Sequence, residues 1–479
     1  MDKKIRTRFA PSNTGINHSG GIKTALYNYL FAKNMGGEFY VRIEDTDNKR
    51  FNPKAEQYIK DSLEWCGITP DDSPWNPNPK YGEYHQSKRD YDGYIDYLLE
   101  NDYAYLAFDT SEELDAKKIP YNRTNRHLFK NSFSLSKEEI CKMVDDGVPS
   151  VVRINVPENK ELILNDLIRG KIIFNTNDID DKVLVKSNGI PTYHLAHVID
   201  DKLMETSHVI RGDEWIPSSP IHLLLWGMFG WEVPIYAHLS LLLNPDGKGK
   251  LSKRNAFNKG FEIFPLECSD VDEKGNDVYF KGFKGLGFEC ISYVNFIALL
   301  GFNFGKDVLT MDEMIENFDL SKVIKSPSIF DVNKLNHINR EHLLKISNIE
   351  LWNRFNLDYS IYDDEKKDMI MELSKERAII SDDLKITLDI FFEHIKTKDV
   401  SDDTKVKLGE FLSLLGYTIE INSQYRIDCK SPKEWISESY INKKELREVL
   451  CGGKSGPDLA TEMEILGEKE VISRIKKYL

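Results

Sequence analysis

The stretch of residues 8–21, Arg-Phe-Ala-Pro-Ser-Asn-Thr-Gly-Ile-Asn-His-Ser-Gly-Gly, constrains the fold more than any other part of the chain. Residues 3–9 alternate charged and apolar side chains, which predicts a short strand. Apolar residues then recur at helical spacing over residues 22–30, and the glycines at 36–37 predict the end of that helix. Because residues 38–44 alternate again, the sequence predicts a strand, a loop, a helix and a second strand.

The loop and the end of the second strand are predicted to form one site. Strands of such a unit run parallel, so ligands bind in the crevice outside their carboxyl ends. Residues 8–12 follow the first strand and residues 44–47 follow the second. Gly20 and Gly21 let the backbone approach a ligand, the free N–H groups at the helix start favour a phosphate, and His18 adds a hydrogen-bond donor. This stretch alone leaves both a nucleotide site and an ordinary surface turn open.

Length and composition favour a multidomain globular protein. A chain of 479 residues is too long for one hydrophobic core, so we expect about two to four domains. No segment approaches the roughly 20 apolar residues of a membrane span, and the N-terminus lacks a signal-peptide core, which predicts a cytoplasmic protein without a membrane partner. The six cysteines form no C-x-x-C pair, so neither a zinc knuckle nor a disulfide framework is predicted. The net charge of −14 weakens non-specific polyanion binding but leaves a structured RNA open as a partner.

The order of the patterns predicts an α/β fold with additional regions. Residues 1–101 and 202–250 have the pattern of two halves of a doubly wound, Rossmann-like parallel-sheet domain. Residues 102–201 combine short helices with strands joined by turns, which predicts an inserted α+β domain. Residues 251–325 lie between the second half of the Rossmann-like domain and residues 326–479, where helical spacing and sparse glycine predict an all-α C-terminal region.

The later part of the chain is predicted to be mainly helical. Its predicted helices share apolar side chains at helical spacing and span residues 311–318, 332–345, 364–376, 382–396, 402–415, 443–450 and 458–477. Residues 262–282 are rich in polar and aromatic side chains and predict an extra loop or hairpin.

A second glycine-rich stretch, residues 244–254, follows the predicted strand 235–243 and carries four basic side chains. At the mouth of a nucleotide crevice, lysines on a mobile loop can close over a triphosphate and stabilise the charge on departing pyrophosphate. Residues 211–215 lie just past another predicted strand, so they face the same crevice. A solvated hairpin is the alternative for residues 244–254 taken alone.

Five stretches, taken together and in order, resemble a known enzyme family. Residues 8–21 and 250–254 resemble the two signatures of class I aminoacyl-tRNA synthetases, and residues 42–47, 191–195 and 210–215 resemble the pattern of the glutamyl-tRNA synthetase family, bacterial type. The similarity extends into the helical C-terminal region at residues 330–331, 334–335 and 456–457. Five ordered matches are more specific than any one of them, and the resemblance covers nearly the whole chain.

The resemblance implies ATP-dependent ligation of L-glutamate to tRNA in two steps. Glutamate attacks the α-phosphate of ATP to give glutamyl-adenylate and pyrophosphate, and the terminal ribose hydroxyl of the tRNA then takes the glutamyl group and releases AMP. The implied partners are tRNA(Glu), ATP and L-glutamate, with Mg²⁺ arriving on ATP. The resemblance also implies that residues 102–201 contact the acceptor end, residues 251–325 the tRNA stem, and residues 326–479 the anticodon. A monomer is expected by default because no heptad seam is evident.

The resemblance also assigns the residues of the site. It implies that His18, Lys250 and Lys253 are catalytic, because they hold or neutralise the phosphates of ATP. The residues implied to bind ATP are Ala10, Ser12, Thr14, His18, Gly20, Gly21, Glu214, Trp215, Leu243, Lys250, Leu251, Ser252 and Lys253. The residues implied to bind glutamate are Arg8, Ser12, Glu44, Tyr193, His197 and Arg211.

Glutamate selection has a physical account in these residues. Arg8 and Arg211 can each hold a carboxylate through a planar fork, and Glu44 can pair with the ammonium group. Glutamine would leave an arginine facing an uncharged amide, a loss of roughly 2–5 kcal/mol. A structural salt bridge is the alternative role for each arginine.

The sequence departs from the family pattern at several positions. Ser19 replaces the usual aliphatic residue and Asn13 replaces a proline, and both changes affect loop stiffness rather than catalytic groups. His197 stands where an asparagine is usual near the amino-acid pocket. Ala107 and Asp109 occupy positions where some members carry zinc-binding cysteines, so no structural zinc is expected.

Three rival functions compete with glutamate ligation. A glutaminyl enzyme normally ends in β-barrels, whereas this C-terminal region is predicted to be helical. A truncated relative that modifies a tRNA base is disfavoured by the long C-terminal region, and an RNA-binding scaffold without activity would not need His18, Lys250 and Lys253. Whether tRNA(Gln) is also charged, and which residues contact the anticodon, stay open.

Overall fold

The computed structural model describes residues 4–47, 52–271, 275–355, 362–392, 400–425, 431–439, 441–453 and 456–479. These residues form two compact units. Unit 1 contains Met1–Gly285 and Cys290–Val332, and unit 2 contains Leu286–Glu289 and Asn333–Leu479. The sequence predicts four regions instead, and the boundaries between those regions stay predictions.

Unit 1 contains both strands and helices. Its strands are β1 (Arg6–Phe9), β2 (Glu38–Val41), β3 (Ala104–Ala107), β4 (Val151–Ile154), β5 (Glu161–Asp166), β6 (Gly170–Asn175), β7 (Val183–Val185), β8 (His208–Gly212), β9 (Ile235–Leu239), β10 (Leu242–Leu243), β11 (Cys268–Val271), β12 (Asp277–Phe280) and β13 (Ser328–Ile329). Its helices are α1 (Ser19–Asn34), α2 (Ala55–Trp65), α3 (Asp92–Glu100), α4 (Ser111–Lys117), α5 (Lys137–Asp145), α6 (Tyr193–Leu203), α7 (Ser219–Met228), α8 (Lys253–Lys259), α9 (Gly282–Gly285), α10 (Cys290–Leu299) and α11 (Met311–Asn317).

The strand, loop, helix and second strand at the start of the chain fold as the sequence predicts. β1 and β2 pair in parallel, from Arg6 opposite Glu38 to Phe9 opposite Val41. The Ser207 N–H, just before β8, donates to the Arg6 carbonyl at 2.9 Å, which holds β8 beside β1. β8 and β9 are also parallel and belong to a four-stranded sheet with the order β6-β5-β9-β8. Parallel strands of an α/β fold therefore end together near the predicted crevice.

Helix α1 connects β1 to β2 and packs against the sheet. It begins after His18 and ends at Asn34. Gly36 follows with a φ of 63°, the left-handed backbone conformation that commonly ends a helix. Its side chains Ile22, Leu26 and Leu30 are buried, at the spacing that the sequence shows. This packing fixes the start of α1 at the carboxyl end of β1.

The region predicted as an insert, residues 102–201, contributes to two sheets. β3, β4 and β7 form an antiparallel sheet of their own. The β5–β6 hairpin instead pairs with β9, where Asp166 lies opposite Tyr236. A turn-rich alternating pattern predicts strands but does not reveal which strand they pair with, so the sequence could not indicate this connection.

The lysine-bearing stretch is partly helical rather than entirely loop. Ser252 caps α8 by accepting a hydrogen bond from the Asn255 N–H at 3.3 Å, so Lys253 is the first residue of a helix. The predicted strand 235–243 is divided into β9 and β10. The hairpin predicted within residues 262–282 is confirmed, because β11 and β12 pair antiparallel.

The described residues of unit 2 form helices around one apolar core. The helices that lie wholly or almost wholly in this unit are α12 (Val332–Lys345), α13 (Asn348–Arg354), α14 (Asp364–Arg377), α15 (Ser381–Phe392), α16 (Asp402–Tyr425), α17 (Pro432–Glu438), α18 (Lys443–Cys451), α19 (Leu459–Leu466) and α20 (Glu468–Lys476). Buried side chains such as Leu388, Leu446 and Val471 form the core. Among the described residues, no helix is long and apolar enough to cross a membrane.

Several predicted helix boundaries need correction. The single helix predicted over 458–477 is two helices, because Gly467 adopts a φ of 75° between α19 and α20. The helix predicted to end at residue 415 continues as α16 to Tyr425, and α13 and α17 were not predicted. The predicted residues 393–396 lie outside the described residues.

Candidate active site

A cavity of about 400 Å³ opens in unit 1 where β1, β8 and β9 end and α1 begins. It is lined by residues from both glycine-rich stretches, including His18 and Lys253. The other predicted site residues in its lining are Arg8, Ala10, Ser12, Thr14, Gly20, Gly21, Glu44, Tyr193, Arg211, Glu214, Trp215, Lys250 and Leu251. The two stretches therefore converge on one space, as the sequence analysis expects.

His18 caps helix α1, and the helix backbone orients its ring. Nδ1 of His18 accepts a hydrogen bond from the Gly20 N–H at 3.0 Å. Burial, followed by the charges of Lys253 and Lys250, lowers the pKa of His18 to about 4. The imidazole is therefore neutral near pH 7, and the acceptor role of Nδ1 assigns the proton to Nε2. This tautomer offers one N–H donor to an anionic oxygen.

Lys253 lies against the first glycine-rich loop. A Cβ atom built on Gly15 would be only 2.6 Å from Lys253 Nζ, so the lysine occupies the space that the absent side chain leaves. The same Nζ pairs with Asp270 Oδ2 on β11 at 3.3 Å, and both side chains are about one-quarter exposed. The ammonium group is thus held beside the cavity by a carboxylate.

Lys250, two residues before Ser252, also pairs with a carboxylate. Its Nζ lies 3.3 Å from Glu214 Oε1, and both side chains are nearly half exposed. Lys250 forms an antiparallel bridge with Leu243, which closes the intervening residues into a turn. Gly247 and Gly249 in that turn have φ values of 70° and 77°, which explains the glycines there.

Arg8 lines the cavity and also has a structural partner. Its Nε and Nη2 donate to the two carboxylate oxygens of Asp201 at 3.1 and 3.2 Å. Asp201 is buried and accepts a further bond from Arg42 Nη1 at 2.8 Å. Burial would raise the pKa of Asp201, but the two arginines hold it below its usual value. The salt bridge that the sequence analysis left open for Arg8 is therefore present.

Glu44 provides a carboxylate on the cavity wall. Arg42 Nη2 donates to Glu44 Oε1 at 3.1 Å. Burial raises the pKa of Glu44 in spite of the nearby charges of Arg42 and Arg8. A ligand ammonium group at this position would favour the charged carboxylate.

Arg211 carries a buried charge at the end of β8. Only 5% of the residue is exposed, and its guanidinium donates to neutral groups: Tyr193 OH at 2.8 Å and Ser219 Oγ at 3.1 Å among them. Within the part of the chain that the structure describes, no carboxylate forms an ion pair with Arg211. A buried charge without a counter-ion is costly, so this position favours an anionic ligand.

Comparison with known proteins identifies the family to which these features belong. The model of the class I tRNA synthetases (E and Q), catalytic domain, matches residues 4–262. The chain belongs to the class I tRNA synthetases. The matched segment of the synthetase contains His18, Arg211, Lys250 and Lys253.

Individual relatives resemble the synthetase over its full length. The glutamate–tRNA ligase of Flavobacterium johnsoniae is 42% identical, with 100% of this chain and 99% of the relative covered. The glutamate–tRNA ligase of Porphyromonas gingivalis is 41% identical with the same coverage. A crystal structure of a glutamate tRNA ligase from Elizabethkingia meningosepticum, in complex with its amino acid, has a TM-score of 0.87 at 41% identity and covers 99% of both chains.

Three residues assigned from the sequence do not line the cavity of the synthetase. His197 is fully buried between Arg8 and Arg211, so it contacts the arginines rather than the cavity. The Leu243 carbonyl accepts a hydrogen bond from the Phe330 N–H at 3.1 Å, and Ser252 caps α8. The assignment of Leu243 and Ser252 to ATP binding and of His197 to glutamate binding stays a prediction.

The cavity of the synthetase also contains residues that the sequence analysis missed, including Asn17 and Lys23. Lys23 Nζ donates to the Ser240 carbonyl at 3.0 Å, and burial lowers the pKa of this lysine to about 8. The Nδ2 group of Asn17 is buried and has no hydrogen-bond partner among the described residues. Lys23 lies one helical turn after Ser19 on α1, a spacing that could have indicated it.

Proposed function

We propose that this synthetase ligates L-glutamate to tRNA with ATP, through a glutamyl-adenylate intermediate. The observation that carries the proposal is the unpaired charge of Arg211 in the same cavity as His18 and Lys253. The relatives named above support it, since they are glutamate–tRNA ligases over the full length of the chain. The proposal assigns the anion site to the amino acid and the two glycine-rich stretches to ATP.

In the first step, a carboxylate oxygen of glutamate attacks the α-phosphorus of ATP, and the bond to pyrophosphate breaks. The Nε2–H group of the neutral His18 ring donates a hydrogen bond to a phosphate oxygen, and the positive end of the α1 dipole favours a phosphate beside it. The N–H groups expected to be free at the start of α1 are already used, because Ser19 donates to the Ile263 carbonyl, Gly20 to His18 Nδ1 and Gly21 to the His18 carbonyl. Lys250 and Lys253 exchange their carboxylate partners for the departing pyrophosphate and stabilise its charge. No covalent nucleophile from the protein is required, so positioning and charge provide the rate increase.

Glutamate is held by groups at the ends of β1 and β8. Arg211 binds a carboxylate of the amino acid, with Tyr193 beside it. Glu44 pairs with the ammonium group, which favours the charged form of its buried carboxylate. Arg8 acts as a second cation whose charge is shared with Asp201.

Mg²⁺ is expected to arrive with ATP and to be held by phosphate oxygens and water. Among the described residues, no group of three His, Cys, Asp or Glu side chains could hold a metal ion. No step of the proposal is therefore routed through a metal held by the protein, and the expected lack of structural zinc stays a prediction.

In the second step, the terminal ribose hydroxyl of tRNA(Glu) attacks the glutamyl carbonyl and AMP leaves. We assign the acceptor end to residues 102–201, the tRNA stem to residues 251–325 and the anticodon to residues 326–479. A monomer in the cytoplasm is the state proposed for the protein.

The test is ATP–pyrophosphate exchange by the full chain, with glutamate or glutamine and with or without tRNA. Exchange that depends on glutamate supports the proposal, and the resemblance to the glutamyl-tRNA synthetase family implies that the first step requires bound tRNA. Exchange with glutamine but not with glutamate would overturn the assigned specificity. A lack of exchange with both amino acids, in folded protein that still binds tRNA, would favour the RNA-binding scaffold.

A further inference from the structure

The guanidinium of Arg211 is surrounded by imidazole rings. His238 Nε2 on β9 accepts from Arg211 Nε at 3.0 Å. His197 Nε2 on α6 and His222 Nδ1 on α7 lie 3.4 and 3.3 Å from Arg211 Nη1. All three histidines, which we call the histidine frame, are fully buried. Three elements of the fold therefore direct a ring nitrogen at one cation.

Two histidines of the frame have a buried aspartate behind them. His238 Nδ1 lies 2.6 Å from Asp166 Oδ2, and His197 Nδ1 lies 3.4 Å from Asp201 Oδ2. An ionised carboxylate only accepts hydrogen bonds, so His238 Nδ1 carries the proton and His238 Nε2 is the acceptor for Arg211 Nε. His197 Nδ1 lies between Asp201 and Arg8 Nη2, the latter 3.5 Å away, while its Nε2 faces Arg211. Asp166 and Asp201 therefore each lie one imidazole ring away from Arg211.

We propose that the histidine frame, with Asp166 and Asp201 behind it, determines specificity by orienting Arg211 through neutral acceptors and leaving its charge for the substrate. A direct ion pair with an aspartate would orient the guanidinium equally well but would satisfy its charge before substrate arrived. Neutral acceptors avoid that competition. The inference deepens the proposed function and rests on it, since the anion would be a carboxylate of glutamate.

The frame performs this role only while its rings are neutral. Protonation would remove an acceptor and place a second positive charge against Arg211. Burial, followed by neighbouring charges, lowers the pKa of His197 and of His222 well below the usual value, and lowers that of His238 in spite of Asp166. The other charged or titratable groups facing the frame are Arg8, Arg42, Asp166, Asp201, Asp213, Tyr193, His194 and Tyr236.

The pH dependence follows from this direction. Because the pKa values are lowered, the frame stays neutral to a lower pH than ordinary histidines would. We expect the KM for glutamate to be constant from about pH 8 down to about pH 6. A KM that rises through the titration of an ordinary histidine would contradict a frame held neutral by burial.

The test uses full-length Asp166→Asn and His197→Gln variants in tRNA-dependent ATP–pyrophosphate exchange. Each change disturbs one aspartate–histidine pair without touching the cavity wall. We expect the KM for glutamate to rise by about tenfold or more, with kcat within about threefold, because ground-state binding is weakened more than the chemical step. The preference for glutamate over glutamine should fall in parallel, since an amide depends less on the charge of Arg211.

A matched control separates positioning from loss of a buried ring. His208→Asn removes a buried histidine that lies outside the frame, on β8. Its Nδ1 lies 2.9 Å from Ser207 Oγ. This variant is expected to lower the melting temperature without changing the KM for glutamate. Asp166 also accepts the Arg169 N–H at 2.7 Å, so His197→Gln keeps the test valid if Asp166→Asn does not fold.

The outcomes distinguish this inference from the proposed function. A wild-type protein without glutamate-dependent exchange would contradict the proposed function before any variant is measured. A wild type that uses glutamate, together with folded Asp166→Asn and His197→Gln variants of unchanged KM, would overturn the role of the frame alone. A rise in the KM for glutamate in these two variants that is no larger than in His208→Asn would also overturn the role of the frame.

Discussion

The ammonium group of Lys253 occupies the space where a side chain on Gly15 would begin, 2.6 Å from the built Cβ position. Gly15 belongs to the loop after β1, and Lys253 is the first residue of α8. The two glycine-rich stretches therefore meet in direct contact, and the absence of a side chain at Gly15 permits the approach.

Gly15→Ala is predicted to displace Lys253 while leaving the fold intact. The added methyl group meets the flexible end of a lysine, which can move, so stability should change little. The ammonium group would then be farther from the pyrophosphate, and kcat for exchange should fall by about tenfold. Gly93→Ala is the matched control, because a Cβ there meets no atom within 4 Å. Equal activity of the two variants would refute the contact as a functional one.

Lys253→Ala is predicted to lower ATP–pyrophosphate exchange by at least about tenfold, because it removes charge that stabilises departing pyrophosphate. Binding of tRNA, measured separately, should change little. Lys259→Ala, at the other end of α8 and paired with Asp246, is the control. Unaltered exchange in Lys253→Ala would show that the second glycine-rich stretch does not act on the triphosphate.

Arg8→Lys is predicted to raise the KM for glutamate by about tenfold, because lysine cannot both reproduce the two bonds of the guanidinium to Asp201 and present its charge to the amino acid. Arg89→Lys is a useful comparison, since Arg89 pairs with Asp200, the neighbour of Asp201, and lies outside the cavity wall. If the two variants lose stability alike and both keep wild-type glutamate dependence, Arg8 serves only as a structural partner of Asp201.

His18→Asn is predicted to reduce the loss of stability in acid. In the unfolded chain this histidine has a pKa near 6.5, whereas burial and two lysines lower its pKa in the folded protein to about 4. The stabilisation is therefore complete above pH 6.5 and falls as the pH falls towards 4. Denaturant unfolding at pH 7 and at pH 5 should differ less in the variant than in the wild type, by on the order of 1 kcal/mol.

Asparagine is chosen because it keeps an acceptor for the start of α1. The matched control replaces a histidine at an exposed position, His127→Asn, and the two variants are compared in the same unfolding measurement. An unchanged pH dependence in His18→Asn would contradict a buried, neutral imidazole at this position.

Local patterns in the sequence predict much of the fold. The helical spacing over 332–345 gives α12 with the bounds that the structure has, and the alternation over residues 3–9 and 38–44 gives β1 and β2 in parallel. Ser252 could have indicated the start of α8, but four basic residues and two glycines nearby favoured a loop. The break at Gly467 has no strong sequence signal, because apolar spacing continues on both sides of it.

The site was predicted less completely than the fold, because its partners come from distant parts of the chain. Motif spacing places His18, Arg211 and Lys253 at strand ends, and the cavity contains all three. It does not reveal that Asp201 holds Arg8, or that Asp166 supports His238. Such contacts depend on how β5, α6 and β9 pack, which no local pattern specifies.

Two lysines of the second glycine-rich stretch already have an anionic neighbour, Glu214 for Lys250 and Asp270 for Lys253, at 3.3 Å in both pairs. A triphosphate entering the cavity thus replaces two existing ion pairs. Dissolved salt weakens both the pairs that break and the pairs that form. The affinity for ATP should therefore decrease less steeply with rising ionic strength than it would if both lysines were unpaired.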